Sequence, residues 1–301
     1  MDQLTVLIMS LLSFKGIGNQ SVLGYLNESK QHLKNFDFAE LSTTKVSKIR
    51  KLLDEEIISN KTWQTANEVT LKRLQISLQE NIQIINCFED SYPKRLQNMA
   101  NRPVLLYLKG NLRLLNEDKI LAIVGTRTPR KSSQTWVFNI TNELANNYVI
   151  VSGLAKGIDT VVQRQVVDCH KQTIAVLGSG LDMPIYPFEN EDLAAEILNN
   201  NGLLVSTYPN GTKVYSHNLA ARDEWQSALS DGVIVAETGM RGGTTNTINF
   251  AFQQEKLLMM YDDLELSGNQ FFLNDTRIKP IKDCSDIFKQ EKNHIEEIRR
   301  G

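Results

Sequence analysis

The sequence predicts an α/β fold, a doubly wound and mostly parallel sheet, preceded by a small helical domain. Two observations carry this. Short apolar runs recur from Ile120 to Tyr261: ILAIV (120–124), YVIVS (148–152), TIAVL (173–177), GLLVS (202–206), GVIVA (232–236) and KLLMMY (256–261). They start roughly 25 to 30 residues apart, the repeat of a strand followed by a helix. The runs are also apolar throughout rather than alternating, which suits strands covered by helices on both faces.

At 301 residues the chain exceeds one typical domain, and two are expected: a helical one over 1–78 and the α/β one over 79–301. A composition 41% hydrophobic and 23% charged excludes a disordered chain. A net charge of −2 excludes a protein that is basic all over, so any nucleic-acid site must be a local patch. The cysteines, Cys87, Cys169 and Cys284, are odd in number and have no zinc-ligand spacing. Unpaired thiols in the cytoplasm and no metal are expected.

In chain order, Leu4 to Phe14 is apolar but interrupted by Thr5 and Ser10. It falls short of the roughly 20 residues a bilayer needs and lacks a signal-peptide layout, so it reads as a buried helix with no membrane role. Gly16-Ile17-Gly18 then sits between two helical patterns. It is a plain interhelical turn, or a hairpin that offers backbone N–H groups to a phosphate. Near Asn81 the texture changes: NIQIINCFED reads as a strand, and SYPKRLQNMANRPVLLYLKGN as a connector with two prolines ending in a second strand.

In an open α/β sheet, ligands sit beyond the carboxyl ends of the strands. At those ends the chain carries GTRTPRK, GLAKGID, GSGLD, TYPNGTK and ETGMRGGTTNT. Glycines and cations recur, so backbone N–H groups and helix N-termini can meet an anion. Yet GTRTPR is not GxGxxG, and no GxxxxGK[ST] occurs, so neither standard nucleotide fingerprint applies.

Catalytic groups are thin. His32, His170, His217 and His294 are scattered, and no Ser/His/Asp or Cys/His set emerges. His170 ends a helical pattern, where a C-terminal cap is the simple explanation. His217 is either a surface group or a member of an anion site. Asp159 and Asp182 come after glycine-rich turns, where helix capping competes with function. Glu237 either meets a ribose or base, or satisfies loop amides.

VGTR, VSGLAKGID and TIAVLGSGLDMPIYPFEN closely resemble the DNA-processing protein A family (DprA, also called Smf). The likeness begins near Phe88 to Leu96, includes the segment from Pro103 to Asn111, and continues to SGNQFFLND (267–275) and DIF (286–288). It implies a Rossmann-like domain, preceded by a small helical one, that binds single-stranded DNA in a positive pocket. It also implies protection of incoming strands in natural transformation, help in loading the recombinase RecA, a homodimer, no cofactor and no catalytic step. Arg127 matches the family's phosphate-contacting arginine, Lys213 falls in the segment that supplies a second cation, and Gly153, Gly178 and Ser179 match small residues of the pocket floor. The expected phosphate-binding set is Gly125, Thr126, Arg127, Arg130, Lys131, Gly153, Lys156, Gly178, Ser179, Lys213, Arg222, Gly243, Thr244 and Thr247. Tyr186, Tyr208 and Trp225 are candidate base platforms, with core packing the simpler role for Trp225.

The sequence also departs from the family pattern. Gln163 stands where histidine is usual, and Asp262-Asp263 replaces a Pro-Gly turn. Asp223 and Glu224 come after Arg222 where asparagine and arginine are expected, and the winged-helix domain many members carry at the C-terminus is not expected here. The lost charge leaves open a sensor of a small nucleotide. A hydrolase of a nucleotide's glycosidic bond is the third alternative, disfavoured because MRGGTTNTINF lacks the needed glutamate.

Overall fold

A computed structural model describes residues 2–28 and 38–300, with side chains to 296. His32 lies outside the described residues. The chain divides into two compact units, Met1–Leu108 and Lys109–Gly301.

The first unit holds α1 (Gln3–Leu12), α2 (Asn19–Glu28), α3 (Phe38–Leu41), α4 (Ser47–Asp54), α5 (Asn60–Gln79), β1 (Gln83–Asn86), α6 (Lys94–Gln97) and β2 (Leu105–Gly110), whose last two residues pass into the second unit. Asp2 caps α1 by accepting from the Leu4 and Thr5 amides. Ser59 and Thr62 form a reciprocal capping box on α5. Leu7, Ile8 and Leu11 of α1 are buried with Val22, Tyr25 and Leu26 of α2, and α1 packs on α5. The apolar run from Leu4 is thus the buried helix expected from the sequence. Gly16, at φ 94°, turns the chain from α1 towards α2. β1 and β2 pair antiparallel, Gln83 opposite Leu108 and Asn86 opposite Leu105.

The second unit alternates strand and helix: β3 (Ile120–Val124), α7 (Lys131–Leu144), β4 (Val149–Ser152), α8 (Ile158–Asp168), β5 (Thr173–Leu177), α9 (Glu191–Asn199), β6 (Leu203–Ser206), α10 (Ser216–Ala228), β7 (Gly232–Val235), α11 (Gly243–Gln253), β8 (Leu257–Tyr261), α12 (Ser267–Leu273), β9 (Ile278–Ile281) and α13 (Cys284–Arg300). All six apolar runs form strands, within one residue of the expected ends. Tyr148 drops out of the second run because its amide donates to the Leu144 carbonyl at the end of α7, at 2.9 Å, while its ring packs in the core and its hydroxyl donates to Glu291 of α13.

The strand order is β6-β5-β4-β3-β7-β8-β9, every pair parallel. The chain steps outward from β3 to β6, returns beside β3 as β7, and steps outward the other way. The switch point therefore lies between β3 and β7. β9 was not legible as a strand: it is four residues, IKPI, with Pro280 opposite Met260. Proline has no N–H to give a ladder, so it sits last in the order of these strands. On one face α7 and α8 pack together, and α7 also meets α13; Ile140, Leu144, Val162 and Val166 close over Leu121, Ile123 and Ile150. Trp136 stacks on Tyr261 at 4.1 Å and donates its indole N–H to the Lys282 carbonyl at 2.6 Å, anchoring α7. α10 packs against α11.

Candidate nucleic-acid interface at the switch point

A cavity of about 420 Å³ opens where β3 and β7 end side by side. Its walls come from the turn after β3, the first turns of α8 and α11, the loop after β7, and one face of α10. The first turns of α10 and α11 carry no acidic residue, so their amide ends leave a positive field at this edge, whereas the start of α7 receives the Glu237 carboxylate.

Backbone contacts hold the β3 turn. The Thr126 amide donates to the Glu237 carbonyl at 2.8 Å, and the Arg130 amide to Glu237 Oε2 at 2.8 Å. Of its two expected roles, Glu237 thus fills that of satisfying loop amides. The Thr126 carbonyl accepts from the Ile158 amide at 3.2 Å. Gly157, at φ 81°, lets the two turns meet: a Cβ there would lie 2.4 Å from the Thr126 carbonyl oxygen and 2.6 Å from the Arg127 carbonyl carbon. The turn so held leaves the Arg127 side chain exposed at the cavity mouth.

The floor is built differently. The Arg222 side chain is 3% exposed, with Nη1 3.7 Å from Asp159 Oδ2 and Nε 3.6 Å from Asp223 Oδ1. Asp159 Oδ2 also accepts from the amides of Gly153 and Ala155, at 3.1 and 3.3 Å. Gly153 makes room for the guanidinium, since a Cβ would fall 1.2 Å from Nη1. Burial pushes the Asp159 carboxyl up, opposed by Arg222 and by the two amides. Burial likewise raises Asp223 to about 6, with Arg222 pulling it down and Asp159 pushing it further up. Two carboxylates flank one guanidinium, so Arg222 brings no net positive charge to the cavity.

The cavity brings together Gly125, Thr126, Arg127, Arg222, Gly243, Thr244 and Thr247. Lys156 stands at an adjoining cleft shared with Arg127 and Tyr186, its ammonium 2.5 Å from Glu189. Arg130 faces Glu265 at 3.6 Å, and exposed Lys131 opens α7. Gly153 lies beneath Arg222. Gly178 and Ser179 are buried behind the wall, Gly178 against Leu219, while the Ser179 carbonyl accepts from Ser206 Oγ at 2.7 Å. Lys213 is exposed in a loop that does not line the cavity. Asp182 caps no helix: it accepts from the Gly211 amide and so ties that loop down.

Among the aromatics, Tyr186 is 51% exposed at the mouth, Trp225 is buried and Tyr208 partly so. His170, at φ 54°, ends α8, and His217 stacks on Tyr215. Arg241, Gln226 and Asn246 also line the cavity and escaped the strand-end reading. Arg241 had a signal, a cation before the double glycine that opens α11; Gln226 and Asn246 had none, being polar residues inside helices. No group of three or more His, Cys, Asp or Glu that could hold a metal occurs among the described residues, and no described helix is long and apolar enough to cross a membrane.

A doubly wound parallel sheet with glycine-rich turns and exposed cations at its switch point places the chain among Rossmann-like α/β proteins. Sequence comparison narrows the class. The chain belongs to the family described as DNA recombination-mediator protein A, whose model matches residues 83–292. It is similar to the DNA processing protein DprA of Streptococcus pneumoniae, 40% identical over 166 residues, which cover 55% of this chain and 58% of that protein. The chain spans about half the length of the curated relatives it matches. The X-ray structure of the Streptococcus pneumoniae DprA superposes with a TM-score of 0.77 at 28% identity, over 94% of this chain and 95% of that one. A structure of DprA from Helicobacter pylori, determined for its single-stranded DNA binding mode, superposes with a TM-score of 0.63 at 28% identity, over 71% and 96%.

Proposed function

We propose that the chain binds single-stranded DNA at the switch-point cavity, with Arg127 and Arg241 on the phosphates, the amides of Gly243 and Thr244 at the start of α11 fixing their register, and Gly125 and Thr126 shaping the turn that presents Arg127. The observation that carries this is the exposed Arg127 at a cavity framed by helix N-termini. The single-stranded DNA binding mode of the similar Helicobacter pylori protein supports the same reading. Lys156, Lys131, Arg130 and Lys213 extend the positive edge; Thr247, Gly153, Gly178 and Ser179 support the walls, and Arg222 the floor. Phosphate contacts position a strand without reading its sequence.

The protein acts as a binder rather than an enzyme. The Asp159 carboxylate is committed to loop amides and Arg222, and Asp223 accepts from Gln226 beside the same guanidinium. Family membership extends the proposal to cytoplasmic protection of incoming strands, hand-over to RecA and a homodimer, for which co-elution and sedimentation are the checks. One observation favours the sensor of a small nucleotide as a second reading: with Arg222 neutralised, the cavity keeps few cations, enough for one nucleotide.

Gel-shift titration with single- and double-stranded oligonucleotides tests the proposal. Arg127→Ala with Arg241→Ala should weaken single-strand binding by about tenfold or more, each phosphate contact being charge-assisted. Unchanged affinity in the double variant overturns it. Binding of mononucleotides as tight as that of long strands moves the assignment to the sensor.

A further inference from the structure

The cavity floor carries polar atoms that the fold leaves without hydrogen-bond partners. Arg222 Nε and Nη1 and Gln226 Oε1 are buried and have no hydrogen-bond partner among the described residues. Arg222, Asp223 and Gln226 are 3%, 9% and 2% exposed, and all three line the cavity. Gln226 Nε2 donates to Asp223 Oδ1 at 3.0 Å, which fixes both side chains and leaves the Gln226 oxygen as a second acceptor beside the carboxylate. Buried polar groups are normally paired, so such a cluster in a cavity wall calls for a ligand that pairs them.

A phosphate does not suit this floor, because it would meet Asp159 and Asp223 on either side of the guanidinium. A neutral planar group with N–H donors next to a carbonyl does. Guanine offers two adjacent donors, N1–H and the 2-amino group, beside the O6 acceptor. Cytosine and adenine each offer one exocyclic amino group next to ring acceptors, and thymine a single N–H between two carbonyls. A carboxylate backed by a glutamine oxygen matches the double donor, and a guanidinium matches O6. Tyr186, half exposed at the mouth, supplies a face on which a base can stack. The volume of about 420 Å³ is within the range of small-ligand sites.

We propose that Arg222, Asp223 and Gln226 form a guanine-reading floor, Asp223 and Gln226 accepting from N1–H and the 2-amino group while Arg222 donates to O6. This rests on the assignment of the same cavity to single-stranded DNA, with the phosphates held at the rim by Arg127 and Arg241 and one base turned inward. It adds a base preference to a contact set that otherwise reads no sequence.

The test is fluorescence anisotropy with ten-residue thymidine oligonucleotides carrying one central guanine, hypoxanthine, adenine or cytosine, and in parallel with guanosine and adenosine monophosphates. The guanine strand should bind about tenfold tighter than the adenine and cytosine strands, the scale of one well-placed base contact. The hypoxanthine strand, which lacks the 2-amino group, should fall between. Asp223→Asn should shrink the guanine-to-adenine ratio towards one; a ratio taken within one variant does not depend on the fraction of protein that is folded. Should that variant not fold, Gln226→Met should lower the guanine-to-hypoxanthine ratio. Equal affinity of all four strands for the unaltered protein overturns the proposal, as does a ratio that survives both substitutions. Failure of every strand to bind, with guanosine monophosphate still preferred over adenosine monophosphate, keeps the guanine floor and removes the strand assignment. Binding of neither strands nor nucleotides overturns both.

Discussion

Arg222 illustrates how one residue changes meaning between sequence and structure. As a cation in the segment after a strand, it counts towards a phosphate site. In the fold it lies buried between Asp159 and Asp223, and its charge is spent before any ligand arrives. The cost falls on Asp223, whose carboxyl burial raises to about 6 despite the neighbouring guanidinium. A raised carboxyl favours the protonated acid, so its contribution to stability is fully present below the ordinary value of 3.8 and is lost as pH rises through 6. The difference corresponds to about 3 kcal/mol. Asp223→Asn removes that dependence, with Asp159 still facing Arg222. Urea melts at pH 4.5 and pH 8 should therefore show the variant gaining on the unaltered protein by about 2 kcal/mol at the higher pH, the part of that change that lies above pH 4.5.

At the scale of elements, the site depends on the turns after β3 and β4 meeting at Gly157. The positive φ there, and the 2.4 Å that would separate a Cβ from the Thr126 carbonyl, leave no space for a side chain. Gly157→Ala must either strain α8 at its first turn or push the β3 turn outward, moving Arg127 with it. The expected outcome is a loss of stability of about 1–3 kcal/mol, the cost of strain at such a position, read as a lower Tm. Single-strand affinity should fall as well, even though no cation has been removed. These turns were legible in the sequence, because a glycine beside a strand end is a local signal. β9 was not, because four residues with a proline carry too little periodicity and pair only through tertiary context.

For the whole molecule, a net charge of −2 means that nucleic-acid affinity must come from one edge. Arg127 and Arg241 stand at that edge, and Lys156 shares it with Glu189. Engagement of about three phosphates should give a log–log salt slope near −2 for single strands. Titrations at several salt concentrations check this. A much steeper slope would require cations outside the cavity edge, and Arg130, Lys131 and Lys213 are the candidates to substitute next. Arg130 enters that group with its charge shared with Glu265.

The sequence by itself determined the doubly wound sheet, its six apolar strands and the glycine-bearing loops at their carboxyl ends. Those features are written in neighbouring residues: apolar runs, helical spacing, glycines at strand ends. Only the tertiary structure decided which cations of those loops remain available. Coulomb attraction and desolvation act over a few ångströms between residues far apart in the chain, so sequence distance carries no record of them. Asp159, at the start of α8 and far from Arg222 in the chain, joins the neighbouring Asp223 in neutralising it, while the turn tied to Glu237 and Ile158 through Thr126 leaves Arg127 exposed at the cavity mouth.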